Sequence, residues 1–309
     1  MKYRRLGRTG IDVSVVSFGA GPVSGWAVSD DLDDQIGVVQ YAIERGVNWF
    51  DTAPTYADGK SETALGRALS ACQAHHRVHL ATKVRLNEDA WGDLRGFVLR
   101  SVEASLQRLQ APRVTLLQLH NSVTAHRGDQ PTSITPGDLL DPGGVLSAFE
   151  ELKQAGVVKH LGLTGLGDIS SLRTAIESRQ FETVQTPYNI LNPSAGEVVT
   201  QDFTEANYGN QFNECARLGM GVFAIRVFAG GALARREPSA HTKRTLFFPL
   251  DLYQRDLDRA EGLLASDPNE DLPKRAIQFV LRHPAVSSAL IGLARIEEVD
   301  DAVAAVESS

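Results

Sequence analysis

Gly46-Val47-Asn48-Trp49-Phe50-Asp51-Thr52-Ala53-Pro54-Thr55-Tyr56, continued by Ser61-Glu62 and Leu65-Gly66, is the stretch whose reading decides the fold. A short apolar run, Trp49-Phe50, stops in a carboxylate; a Pro-bearing turn then carries a tyrosine, and helical spacing opens at Ser61. That is the pattern of a buried strand delivering polar side chains to a loop. In a barrel of parallel strands, chemistry is built at the carboxyl ends of the strands, so Asp51 and Tyr56 would face one cleft. Taken alone, the plainer reading is the commoner one: an Asp after a strand caps a turn, and a loop tyrosine packs half-buried.

Two more strand ends shift the balance. His79-Leu80-Ala81-Thr82-Lys83-Val84 closes an apolar run with a lysine, and Val114-Thr115-Leu116-Leu117-Gln118-Leu119-His120 closes another with a histidine. A strand-terminal Lys commonly points to solvent and a strand-terminal His is commonly a bonded core residue, but Asp, Tyr, Lys and His at successive strand ends form a set.

Outward from these segments the chain alternates strand and helix throughout. Tyr3 to Ser14 alternates around a Gly-bounded turn and predicts a β-hairpin covering one end of the barrel. The first strand is Val15–Gly19, and a helix follows from Asp34 to Arg45, ending near Gly46. Strand two is Val47–Phe50, with a helix from Ser61, its N-cap, to Cys72. Strands three to eight are predicted at 78–84, 114–120, 158–164, 183–186, 221–226 and 287–291. The helices between and after them are predicted at 94–109, 144–154, 169–178, 208–218, 252–264, 273–282 and 296–306. Asn121 to Pro142, Leu191 to Ala206 and Gly230 to Leu250 read as long loops, the first a candidate substrate loop. Eight such units without a composition break predict one α/β domain over residues 1–309. It is a (β/α)8 TIM barrel in which each right-handed crossover lays a helix on the sheet.

The charge of -7, from 31 basic and 38 acidic residues, leaves no footprint for nucleic acid or an anionic membrane. Cys72 and Cys215 are the only cysteines and have no zinc or disulfide spacing, which suits a reducing compartment. No apolar run of about 18 residues and no leader-like segment follows the start, so a soluble cytoplasmic protein is expected.

Asp51, Tyr56, Lys83 and His120, with "FDTAPTYADGKSETALGRAL" around the first two, resemble the catalytic tetrad of the aldo-keto reductases. The resemblance runs from "RRLGRTGIDVSVVSFG" to "VSSALIGLARIEEVDDAV". It implies carbonyl reduction, or the reverse oxidation, with a nicotinamide supplying the hydride that no side chain can give. Tyr56 is then the general acid, sluggish near neutrality at its unperturbed pKa of about 10. Lys83 would stabilise the phenolate, Asp51 would keep Lys83 charged, and His120 would donate to the substrate oxygen.

The cofactor implied is NADP(H) or NAD(H), with no metal. In the family a Ser-Asn pair and a Gln hold the carboxamide; here Thr164 replaces the serine, Gly165 lacks an amide, and Gln185 matches the glutamine. Gly19, Ala20 and Asp51 belong to the same implied set. Ile225-Arg226-Val227-Phe228 lacks the usual stacking ring, and Arg226 either approaches the pyrophosphate or pairs with an acid. Gly292 and Arg295 lie at the expected adenosine end, where a helix N-terminus suits phosphate. Glu298 stands where NADP-specific members place an arginine, so it would repel a 2′-phosphate and accept from a ribose hydroxyl, tilting preference toward NAD.

Trp26 and Trp91 are candidate pocket walls beside Tyr56 and His120, or else core packing. The segment "LGLTGLGD" resembles the sugar-oxidising branch with galactose and fucose dehydrogenases, which implies a sugar or lactol as the small-molecule substrate. The oligomeric state is not legible. Two rivals stand beside this: a metal-dependent barrel enzyme, disfavoured because no other His pairs with His120, and a nucleotide-sensing regulatory subunit similar to potassium-channel β-subunits.

Overall fold

The computed structural model describes residues 1–245 and 249–307. Residues 246–248 of the loop expected at Gly230 to Leu250, and the last two of the 1–309 span, lie outside the described residues.

Eight parallel strands close on themselves in the order β3 (Val16–Gly19), β4 (Trp49–Asp51), β5 (His79–Val84), β6 (Val114–Leu119), β7 (Val158–Thr164), β8 (Thr183–Pro187), β9 (Gly221–Ile225) and β10 (Val286–Gly292), which pairs back to β3. These runs are almost wholly buried because a barrel strand meets helices outside and packed side chains inside. Around them stand α1 (Leu32–Glu44), α2 (Lys60–Ala71), α3 (Leu94–Leu109), α4 (Pro136–Leu140), α5 (Val145–Gln154), α6 (Ile169–Glu177), α7 (Gln211–Arg217), α8 (Leu250–Ser266), α9 (Leu272–Arg282) and α10 (Ile296–Glu307). Asp31, Asp93, Asp168 and Asp271 each accept a backbone N–H in the first turn of α1, α3, α6 and α9, so carboxylate caps start four of the helices.

Ser61 is not a cap. Helix α2 starts one residue earlier, after Gly59 at φ 84°, and the buried Ser61 hydroxyl instead donates to the Ala20 carbonyl at 2.5 Å and meets Thr52 Oγ1 at 2.7 Å. The helix predicted from Tyr208 is delayed to Gln211 because Asn210 is left-handed, at φ 49°. Within the first long loop the expected irregular chain contains α4, started by a Thr135/Asp138 capping box.

The predicted hairpin is β1 (Tyr3–Arg5) paired antiparallel with β2 (Asp12–Ser14). Its Leu6, Ile11 and Val13 pack on Trp49, Ala81, Leu116 and Phe223, closing the barrel at the end opposite the carboxyl ends of its strands. Arg8 fastens it by donating to the carbonyls of Leu218 (2.8 Å) and Phe181 (2.6 Å). Gly7 lies at φ +48°, where a Cβ would run into the backbone nitrogen of Gly221 and lie 2.5 Å from the Gly219 carbonyl. Backbone cannot step aside as a side chain can, so Gly7→Ala is expected to cost roughly 2–4 kcal/mol of stability. Thermal melts by circular dichroism check this, and an unchanged Tm refutes it.

Candidate active site

Asp51 ends β4, Lys83 lies near the end of β5, and His120 follows β6, so three adjacent strands deliver them to one mouth. Tyr56 arrives from the turn after β4. Its N–H bonds to Ala53, and Ala57, Asp58 and Gly59 all take positive φ, which reverses the chain into α2. Below the turn, Glu62 is fully buried, accepting from Thr82 Oγ1 at 2.5 Å and from Arg108 Nε at 2.7 Å.

Lys83 Nζ donates to Asp51 Oδ1 at 2.5 Å, to the Thr52 carbonyl at 2.8 Å and to the Tyr56 hydroxyl at 3.3 Å. The Tyr56 and His120 rings meet edge to face, with centroids 5.6 Å apart. The four residues predicted from the sequence are thus brought together. Burial pulls the Lys83 ammonium toward losing its proton, but Asp51 and Tyr56 outweigh it and hold its pKa above the ordinary lysine value. His120 goes the other way: burial first, then the positive charges of Lys83 and Arg85, push it well below the ordinary histidine value, which favours the neutral imidazole. Its Nδ1 lies 3.4 Å from Thr55 Oγ1.

Asp51 has two further donors that sequence reading missed or placed elsewhere. Gln118 Nε2 of β6 bonds Asp51 Oδ2 at 3.0 Å, and Gln185 Nε2 of β8 bonds the same oxygen at 2.5 Å. Strands β4 and β8 stand on opposite walls, so the second bond crosses the lumen. The signal for Gln118 was present in the chain as a lone amide inside the apolar run 114–119. For Thr55, Arg85 and Arg108 no such pattern exists.

The remaining expected residues divide. Gln185 has its Nε2 committed to Asp51, which leaves its carbonyl Oε1 as an acceptor. The Thr164 hydroxyl donates to the Leu119 carbonyl at 2.9 Å. A Cβ on Gly165 would run into Thr186 Oγ1 and lie 2.7 Å from Gln211 Oε1, so an asparagine side chain has no room there. Gly19 and Gly292 are strand partners, and a Cβ on Gly19 would lie 3.1 Å from the Ile291 carbonyl. Ala20 is buried, its N–H bonded to Asp51 O.

Two readings are corrected, at positions 26 and 298. Trp26 is not a pocket wall: it is 2% exposed, its Nε1 donates to Gln35 O of α1 at 3.2 Å, and its ring lies edge-on to Phe18. Arg226 NH2 lies 3.9 Å from Asp256 Oδ2, with part of its side chain exposed. Glu298 does not offer a free carboxylate: it is 6% exposed and accepts from Ala294 N (2.8 Å), Arg295 Nε (3.1 Å) and Arg236 NH1 (2.9 Å). Trp91, in contrast, is exposed on the rim, with the Arg127 guanidinium 3.8 Å over its ring.

Among the described residues, no group of three or more His, Cys, Asp and Glu side chains is arranged to hold a metal ion, and no helix is long and apolar enough to cross a membrane.

Such a barrel, with a phenol, an ammonium, a carboxylate and an imidazole at the carboxyl ends of its strands, defines a class. Residues 16–309 match the Aldo/keto reductase family, and the chain belongs to it, a family of oxidoreductases. It is 27% identical to L-galactose dehydrogenase of Arabidopsis thaliana, over 99% of this chain and 88% of that protein. It is also 27% identical to pyridoxal 4-dehydrogenase of Microbacterium luteolum (99% and 93%) and 26% identical to a putative voltage-gated potassium channel subunit beta of Schizosaccharomyces pombe (99% and 88%). Among solved structures, an aldo-keto reductase from Bacillus halodurans in its holo form superposes with a TM-score of 0.72 at 25% identity, covering 100% of this chain and 92% of that one.

Proposed function

We propose that this protein is an NAD(P)-dependent oxidoreductase that interconverts a carbonyl and an alcohol, with Tyr56 as the general acid and, in the reverse direction, the base. The observation that carries the reading is the Tyr56 hydroxyl 3.3 Å from an ammonium that is itself held 2.5 Å from Asp51. A phenol so placed can give up its proton because the adjacent positive charge stabilises the negative charge left on its oxygen. Neutral His120 donates an N–H to the substrate oxygen and steadies the charge that develops there. The hydride is what a bound nicotinamide contributes to this chemistry.

The residues present fit such a group, with one contact fewer than the family pattern. Gln185 Oε1 and the Thr164 oxygen remain as acceptors for a carboxamide N–H. Gly292, Arg295 and the start of α10 would take the adenosine end. NAD is the proposed preference, for a revised reason: the buried Glu298 carboxylate already pairs with Arg236 and Arg295, so a 2′-phosphate would have to compete with it for their positive charge. A sugar or lactol oxidised at the anomeric carbon is the proposed substrate, in keeping with the name of one relative, L-galactose dehydrogenase, and we place the enzyme in the cytoplasm as one domain.

A nucleotide-sensing regulatory role is the second reading, favoured by the potassium channel subunit relative. A panel of aldehydes and sugars assayed with NAD(H) and NADP(H) by nicotinamide absorbance separates the two. Multiple turnover, with higher kcat/KM for NAD, is expected. Nucleotide binding without turnover on any member favours the regulatory reading, and equal kcat/KM for both cofactors discards the role given to Glu298.

A further inference from the structure

We propose that Gln118 is a positioning residue that sets how readily Tyr56 releases its proton, by holding and screening the Asp51 carboxylate behind Lys83. The proposal rests on the reading of Tyr56 as acid and base.

The interior face of a barrel strand is ordinarily filled by branched apolar side chains. Gln118 is fully buried there, between Lys83 of β5 and Gly162 of β7 in the strand register. Its Nε2 donates to Asp51 Oδ2 at 3.0 Å, while its Oε1 is buried with no hydrogen-bond partner. The orientation of the amide is dictated: an ionised carboxylate only accepts, so turning the amide over would set oxygen against oxygen. Gln118 therefore leaves its own carbonyl unsatisfied in order to keep a donor on Asp51. An unsatisfied buried carbonyl lowers stability, and a leucine or methionine would avoid it. Folding alone does not call for this amide.

Its effect follows from the charges around the phenol. Lys83 and Arg85 approach from the β5 side, Asp51 from β4, and His120 from the end of β6. His120 is neutral, so the field at the phenol oxygen is a contest between Lys83 with Arg85 and the carboxylate of Asp51. Each amide N–H aimed at Asp51 places positive charge against that carboxylate and shortens its reach. Gln185 supplies one such donor, but it is also assigned to the cofactor site; Gln118 serves Asp51 alone. Without it the site is more negative, and the phenol holds its proton more tightly.

The test uses the full-length protein without cofactor. Tyrosinate absorbance is followed against pH, and the proton-release step that disappears in Tyr56→Phe is taken as the signal. In Gln118→Met, and separately in Gln118→Leu, that step is expected to move up by about one pH unit, a tenfold tighter hold on the proton. Melting temperature and circular dichroism establish that each variant is folded. A folded variant of either kind that releases this proton at the wild-type pH overturns the proposal. Turnover on the carbonyl panel is measured separately, so a shifted step in a protein that never turns over would sink the enzymatic reading and leave the role of Gln118 standing.

Discussion

Tyr56→Phe is expected to lower turnover by a factor of about 10²–10⁴ while leaving nicotinamide binding intact. The substitution removes one oxygen and keeps the ring, so the edge-to-face packing on His120 and the position of Lys83 Nζ, 4.8 Å from the ring centroid, have no reason to change. No neighbour can take over the proton. Lys83 is bonded to Asp51 and to the Thr52 carbonyl, and its pKa is held above that of an ordinary lysine, which makes it a poor acid. His120 is kept neutral by burial and by Lys83 and Arg85, and a neutral imidazole N–H is a weaker acid still. Pre-steady-state nicotinamide absorbance measures the chemical step, and quenching of protein fluorescence measures the nucleotide Kd. A variant with near-normal turnover removes Tyr56 from the mechanism; one with lost nucleotide binding shows that the hydroxyl was structural.

The sequence carried the barrel because its strands are buried on both faces and its helices are amphipathic, two patterns that survive without knowledge of neighbours. Helix α3 and strand β7 fall where their spacing predicts them, and elements depending on a single φ, such as the start of α7 after Asn210, do not. The same division runs through the site. Asp51, Lys83 and His120 were legible because a polar residue ending an apolar strand has one place to go in a barrel. Trp26 was not, since only the three-dimensional arrangement shows that Phe18 and helix α1 enclose it. Glu298 fails for the reason opposite to Gln118. One of its two arginine partners, Arg236, is brought from a distant loop, whereas Gln118 is anomalous within its own strand.

Arg108→Met should have the largest effect on stability, about 3–5 kcal/mol. Glu62 has no solvent exposure, and its carboxylate is met by Arg108 at 2.6–2.7 Å and by the Thr82 hydroxyl at 2.5 Å. Taking the guanidinium away leaves a buried carboxylate with one neutral donor, and desolvation is no longer offset by an opposite charge. The loss should not stay local, because Thr82 precedes Lys83 and Glu62 follows Ser61, whose hydroxyl ties α2 to the backbone of Ala20. Chemical denaturation of Arg108→Met, Glu62→Leu and the double variant separates charge from packing. If the penalty is the uncompensated carboxylate, the double variant is more stable than Arg108→Met alone, since removing both partners removes the stranded charge. If Arg108 acts mainly by packing its stem under Gly59, where a Cβ would lie 2.9 Å from Arg108 Cδ, the two substitutions add and the double variant is the least stable of the three.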